Sequence, residues 1–213
     1  MKTPLPKLYP ILDSAIIPST DRTRFLSRLG VSLAEAGVTM LEYRNKTASD
    51  AEVLADAQVL RSVMPSSSVK LILDDRVHLV EQAGFDGVHV DTGDASPTEA
   101  RELLGPNRIV GTFGGSEALV PGVLEQPADY FSIGAVYQTT TKQTTKPPIG
   151  PEGVRRLRAL AGPDAVLAAV GGISLETAPA VLAAGASIVA VAAAIFKTAD
   201  PGAEARRWIA ALG

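Results

Sequence analysis

The stretch A-V-L-A-A-V-G-G-I-S-L-E-T-A-P-A-V-L-A-A-G-A-S-I-V-A-V runs from Ala165 to Val191. Its two ends, Ala165 to Val170 and Ser187 to Val191, are short and almost continuously apolar. Strands buried on both faces have this character, whereas half-exposed strands alternate. The segment between them, Ser174 to Ala184, reads as a helix ended by Gly185. A strand, a helix and a second strand in this order form the unit of a parallel α/β fold.

The same unit recurs on working outward. Upstream lie strands at Arg108 to Thr112 and Tyr130 to Ile133, with helices expected around Glu117 to Leu124 and over Gly153 to Leu160. Further back are strands at Leu8 to Leu12, Val38 to Tyr43, Val69 to Leu73 and Gly87 to Val90. The helices between them start at Thr20-Asp21, at Ser49, at Arg76 and at Ser96, whose spacing to Glu99 is that of a capping box. After Val191 a short helix starts in the run of alanines, and Gly202 to Leu212 reads as a closing helix. Eight strands alternating with helices predict a compact (β/α)8 barrel of the TIM type, one domain over residues 1–213. An open doubly wound sheet is the alternative. No G-x-G-x-x-G follows the first strand, which counts against it.

Composition narrows the function classes. Of 213 residues 20% are charged and the formal net charge is −3, so no nucleic-acid surface is expected. The absence of cysteine excludes disulfides and thiolate metal sites. The two histidines, His78 and His89, cannot make a His-rich metal site alone. His89, inside a strand, reads as a packed, hydrogen-bonded group rather than a catalyst. The N-terminus lacks the apolar run of a signal peptide, and no stretch reads as a membrane span. The expectation is a soluble cytoplasmic protein; a homo-oligomer is left open.

The polar chemistry sorts to strand ends. Arg44 and Lys46 follow the second strand, Asp74 and Asp75 the third, Asp94 the fourth, and Gly171-Gly172 the seventh. After the sixth comes the loop Gly134 to Gly150, with five threonines and two lysines. In a barrel these loops open on one face, where active sites form. Arg44 and Lys46 suit an oxyanion, Arg as a planar fork and Lys as a point charge. Asp75 and Asp94, on adjacent strand ends, suit a divalent cation such as Mg²⁺ completed by substrate phosphate oxygens. Helix capping is the plainer role for Asp75 or Asp74. The loop's hydroxyls, backbone N–H groups and cations suit a phosphate or pyrophosphate, although a polar surface loop has the same composition. Gly171-Gly172 and the Ala192-Ala193-Ala194 junction after the last strand match the usual barrel phosphate site, or simply a tight turn with small-residue packing.

Taken in order, these residues resemble the thiamine phosphate synthase family. The likeness runs from Leu8 to about Pro201. It rests on Leu8-Tyr9, Gly37-Val38-Thr39 leading to Arg44-x-Lys46, Asp75-Arg76, Asp86-Gly87-Val88-His89 with Asp94, Ala128-Asp129-Tyr130 with Gly134, Thr139-x-Thr141-Lys142, Gly171-Gly172-Ile173, and Ala190-Val191 with Ala194-Ile195. The resemblance implies two small-molecule substrates, a hydroxymethylpyrimidine diphosphate and a thiazole phosphate, the latter carboxylated in some organisms. Pyrophosphate leaves, a pyrimidine-stabilised carbocation forms, and the thiazole nitrogen attacks it. The resemblance further implies Arg44, Lys46 and Lys142 acting on the leaving group, and Mg²⁺ on Asp75 and Asp94. It implies Thr139 and Thr141 at the thiazole, and Gly172 with the Ala192 and Ala193 backbone at its phosphate.

The chain departs from the family pattern where the pyrimidine and its diphosphate bind. Glu42 stands for the usual Gln and Asp74 for the usual Asn. Asp91-Thr92-Gly93 replaces Gly-Gln-Glu, Phe113 and Gly115 replace Ser and His, and Ala193 replaces a Ser. Two further readings follow: a paralogue, tautomerase-like or regulatory, and a small Schiff-base aldolase suggested by Leu41-Glu42-x-Arg44. Gly115 counts against the tautomerase, whose proposed acid–base histidine belongs there. The aldolase needs a desolvated lysine, and Lys142 sits in a wet, threonine-rich stretch. The second half of the loop, Gln143 to Pro148, reads as a mobile lid that orders on substrate binding.

Overall fold

The computed structural model describes residues 4–139 and 146–213. Eight parallel strands close into a barrel in sequence order. They are β1 (Leu8–Asp13), β2 (Met40–Arg44), β3 (Lys70–Asp74), β4 (Gly87–Val90), β5 (Ile109–Gly115), β6 (Tyr130–Gly134), β7 (Leu167–Val170) and β8 (Ile188–Val191). The helices are α1 (Arg22–Glu35), α2 (Asp50–Val63), α3 (Val80–Ala83), α4 (Pro97–Leu104), α5 (Gly150–Ala161), α6 (Ala178–Ala183), α7 (Ala193–Phe196) and α8 (Pro201–Leu212). The barrel expected from the repeated apolar runs is present.

Strand periodicity divides the apolar residues into two cores. On β2, Leu41 and Tyr43 point outward into the large layer between barrel and helices. Met40, on the other face, joins Tyr9, Ile72, Tyr130, Ala168, Ile188 and Ala190 inside the barrel. Small residues on β7 and β8 leave room for Tyr9 and Tyr130, whose rings meet edge to face at 5.6 Å. Gly111 is part of the same fit: a Cβ there would lie 2.0 Å from the Tyr130 ring.

Local expectations hold at Ser49 and Ser96, where both capping boxes form. Others need correction. Asp21 precedes α1 at φ 53°, and its side chain makes no capping hydrogen bond, because caps of that kind sit in the extended region. The helix expected around Glu117 to Leu124 is absent. β5 runs on to Gly115, and Pro121 with Gly122 (φ 71°) breaks the chain, leaving only a 3₁₀ turn at Val123–Glu125. The segment from Arg76 is a 3₁₀ turn, Val77–Leu79, before α3. The helix expected from Ser174 starts only at Ala178, after a turn held by Ser174 and Thr177.

Among the described residues, no helix is long and apolar enough to cross a membrane.

Candidate active site

The C-terminal strand ends surround a cavity of about 630 Å³. Tyr9, Glu42, Arg44, Lys46, Asp74, Asp94, Thr139, Gly172, Ala192 and Ala193 all line it. The parallel ladder makes this happen. Asp13 pairs in register with Arg44, and Asp74 with His89, so residues far apart in sequence end at one level.

The cations are held by carboxylates. Arg44 donates through one terminal nitrogen to Asp13 Oδ2, and its Nε lies 3.7 Å from Asp74 Oδ2. Lys46 Nζ lies 3.0 Å from Asp74 Oδ2 and donates to Asp75 Oδ2. Burial works to lower the Lys46 pKa, but these two carboxylates outweigh it and raise it. A Schiff-base amine needs the opposite shift, so Lys46 is not suited to the aldolase role.

Asp75 shows why the capping role fails. Its φ is 64°, a left-handed conformation that Asp tolerates better than most residues. The 3₁₀ turn that follows has no side-chain cap. One oxygen takes Lys46; the other, Oδ1, is buried without a hydrogen-bond partner. Asp94 is its neighbour. Burial, and then its hydrogen-bonded contact with Asp75, raises the Asp94 pKa above the ordinary carboxylate range. An orphaned acceptor beside a second carboxylate fits a cation ligated by both. Among the described residues no group of three or more His, Cys, Asp or Glu is placed for a metal. Any such ion would need ligands beyond these two carboxylates, and water and substrate oxygens could supply them.

The cavity floor carries a hydrogen-bonded chain. Tyr9 donates to Glu42 Oε2 at 2.7 Å and meets the Tyr130 hydroxyl at 2.8 Å. Tyr130 meets His89 Nδ1 at 3.1 Å, and the His89 ring stacks on Tyr130. His89 is thus packed and hydrogen-bonded, and it also faces the cavity. Burial pushes Glu42 up to about 7 and Asp74 up to about 6. It also holds Tyr9 and Tyr130 well above the usual phenol range.

Gly172 (φ 64°) serves the scaffold as well as the cavity. A Cβ there would lie 2.3 Å from the Gln138 carbonyl, so the β6 loop packs directly on it. Thr141 and Lys142 lie outside the described residues, as do residues 143–145 of the expected lid. Lys146 lines the cavity.

A family model described as thiamine monophosphate synthase matches residues 8–195. The chain is 38% identical over 178 residues to the thiamine-phosphate synthase of Agrobacterium fabrum, covering 82% of this chain and 81% of that one. It is 36% identical to the thiamine-phosphate synthase of Koribacter versatilis, covering 98% of this chain and 96% of that one. The chain belongs to the thiamine monophosphate synthase family. A solved thiamine phosphate pyrophosphorylase from Pyrococcus furiosus superposes with a TM-score of 0.76 at 27% identity, covering 97% of both chains. The family is one of transferases, and the resemblance read from the strand ends is correct.

Within this family member the structure adds roles that the sequence did not assign. Asp13 holds Arg44, and Tyr9 and Tyr130, quoted above only as part of the resemblance, join Ser132 on the cavity floor. Tyr9 and Tyr130 had the signal of a lone polar group in an apolar strand. Asp13 had none beyond ending a strand.

Proposed function

We propose that this protein is a single-domain cytoplasmic enzyme that couples a hydroxymethylpyrimidine diphosphate to a thiazole phosphate, giving thiamine phosphate and pyrophosphate. The observation that carries the reading is the meeting of Arg44, Lys46 and Asp74 in the cavity wall, with Asp75 paired to Lys46 beside it. The C–O bond to the diphosphate breaks heterolytically, and pyrophosphate leaves with the electron pair. The thiazole nitrogen supplies the pair for the new C–N bond, so the positive charge ends on the thiazolium. No proton is transferred, and no tuned general base is needed. Arg44 and Lys46 hold the leaving oxygens by charge-assisted hydrogen bonds. By family resemblance Lys142 joins them, Thr139 and Thr141 meet the thiazole, and Gly172 with the Ala192 and Ala193 N–H groups meets its phosphate.

Asp75 and Asp94 would hold Mg²⁺, which when bound neutralises negative charge on the diphosphate. Glu42 and Asp74 face the pyrimidine. Ionised, they are acceptors that favour a ring gaining positive charge. The buried inner core of tyrosines and aliphatic side chains excludes water from below. The test is pyrophosphate release with both substrates and Mg²⁺. Turnover dependent on both substrates is expected; well-folded protein that releases none overturns the reading.

A further inference from the structure

We propose that Arg76 is a positioning residue that sets Lys46 against Asp75. The proposal deepens the synthase reading and rests on it. Asp75 and Arg76 are neighbours at the end of β3, and the left-handed turn at Asp75 sends their side chains to different duties. Asp75 turns to Lys46 in the cavity wall. Arg76, only 19% exposed, runs to the β2–α2 turn that carries Lys46. One terminal nitrogen donates to the Ala48 carbonyl at 2.5 Å and reaches the Asn45 carbonyl at 3.5 Å, so it spans the turn on both sides of Lys46. The other pairs with Asp50, the first residue of α2.

The turn is also fixed from within. Asn45 Oδ1 accepts from Ala48 N at 3.1 Å, and Asn45 Nδ2 donates to the Tyr43 hydroxyl at 3.0 Å. Arg76 is therefore the strap between two pieces that are each rigid alone. On one side are Asp75 and its neighbour Asp94; on the other is Lys46. A planar guanidinium is suited to bridging several acceptors at once, which an ammonium does less well. With the strap Lys46 is held on Asp75 Oδ2, leaving Oδ1 open towards a metal ion; without it Lys46 settles on the carboxylates in many geometries and can cover Oδ1 as well.

The test titrates wild type and Arg76→Gln with Mn²⁺, following the free ion by electron paramagnetic resonance, alongside melting temperature and steady-state kinetics. Loss of an outer residue that orients ligands typically weakens metal affinity by about tenfold or more, and that loss is expected in Arg76→Gln. The KM for the pyrimidine diphosphate should rise by a similar factor while kcat changes less. Arg207→Gln, at an exposed pair on α8, should match wild type throughout. If Arg76→Gln does not fold, Arg76→Lys decides: it keeps the charge but loses the fork, and it should bind Mn²⁺ several-fold more weakly. Wild-type Mn²⁺ affinity in folded Arg76→Gln, or in Arg76→Lys, overturns the proposal while leaving the synthase reading intact. Wild type that binds Mn²⁺ without turnover overturns the synthase reading, and the affinity comparison still decides Arg76. Wild type that binds no Mn²⁺ overturns the proposal outright.

Discussion

The two ends of the barrel use the same side chains in opposite ways. At the N-terminal end an arginine from a helix closes the start of a strand three times over. Arg61 of α2 reaches the Met64 carbonyl and Asp86, and Asp86 also accepts from Leu71 N. Arg101 of α4 reaches the Gly105 and Arg108 carbonyls and Asp129, which accepts from Val110 N. Arg158 of α5 reaches the Gly162, Ala165 and Gly185 carbonyls and the Ser187 hydroxyl, which accepts from Leu167 N. Of the side-chain atoms in these clamps only Arg61 Nε is buried without a partner. At the C-terminal end, Asp75 keeps a buried oxygen with no hydrogen bond, Asp74 is buried between Lys46 and Arg44 with its pKa raised to about 6, and buried Glu42 has its pKa raised. One end is closed for stability. The other carries electrostatic cost that a charged ligand relieves.

The contrast is tested most severely at Asp75. Asp75→Asn should lower the rate by about a hundredfold or more, the scale of losing one electrostatic element of a reacting centre. It should leave the melting temperature nearly unchanged, because Asn tolerates the same left-handed turn and the Lys46 pair that is lost is partly exposed. A large fall in stability would show that Asp75 is structural. Arg101→Ala should do the reverse. It removes the cation paired with part-buried Asp129 and should cost about 3 kcal/mol in denaturant melts, with kcat at 25 °C retained. A catalytic loss without a stability loss would erase the division between the two ends.

Glu42→Gln probes the charge on the floor. Its folded pKa is raised from 4.5 to about 7, so the native state holds a proton that the unfolded chain has released between those values. That contribution is fully present below pH 4.5 and is lost as pH rises through about 7. Glu42→Gln should therefore gain about 1–3 kcal/mol over wild type between pH 5 and pH 8. Asp74, pushed up to about 6, leaves a smaller slope in the variant. Equal pH slopes in both proteins would mean that Glu42 is ionised at little cost. The mildest change is Ser96→Ala, on the catalytic side of the barrel but at the cap of α4. It should cost about 1 kcal/mol and no activity, marking where the active site stops.

Much of this was legible before the structure. Continuous apolar runs gave the eight strands, the cap at Ser49 was visible, and so was the capping box Ser96-x-x-Glu99; the box that Glu52 completes at Ser49 was not noted. The placing of Arg44, Lys46 and Asp94 after strands brought them to the cavity wall, with Asp75 against Lys46. The helix expected between β5 and β6 is missing because Pro121-Gly122 interrupts the chain there, a break the sequence reading did not use. The duty of Asp75 was left open between a cap and a ligand, since its left-handed backbone depends on the pairing of Asp75 N with the His89 carbonyl of β4.

The sequence by itself determined the repeating unit, and with it the barrel and the face on which chemistry would gather. Hydrophobic period and helix caps are local properties, carried by neighbouring residues. The tertiary structure alone decided which charges meet. Asp13 finds Arg44, Tyr9 finds Glu42 and Tyr130, and Arg76 finds the turn around Lys46. Those meetings follow from strand register and barrel closure, which join residues far apart in the chain and leave no mark at any single position.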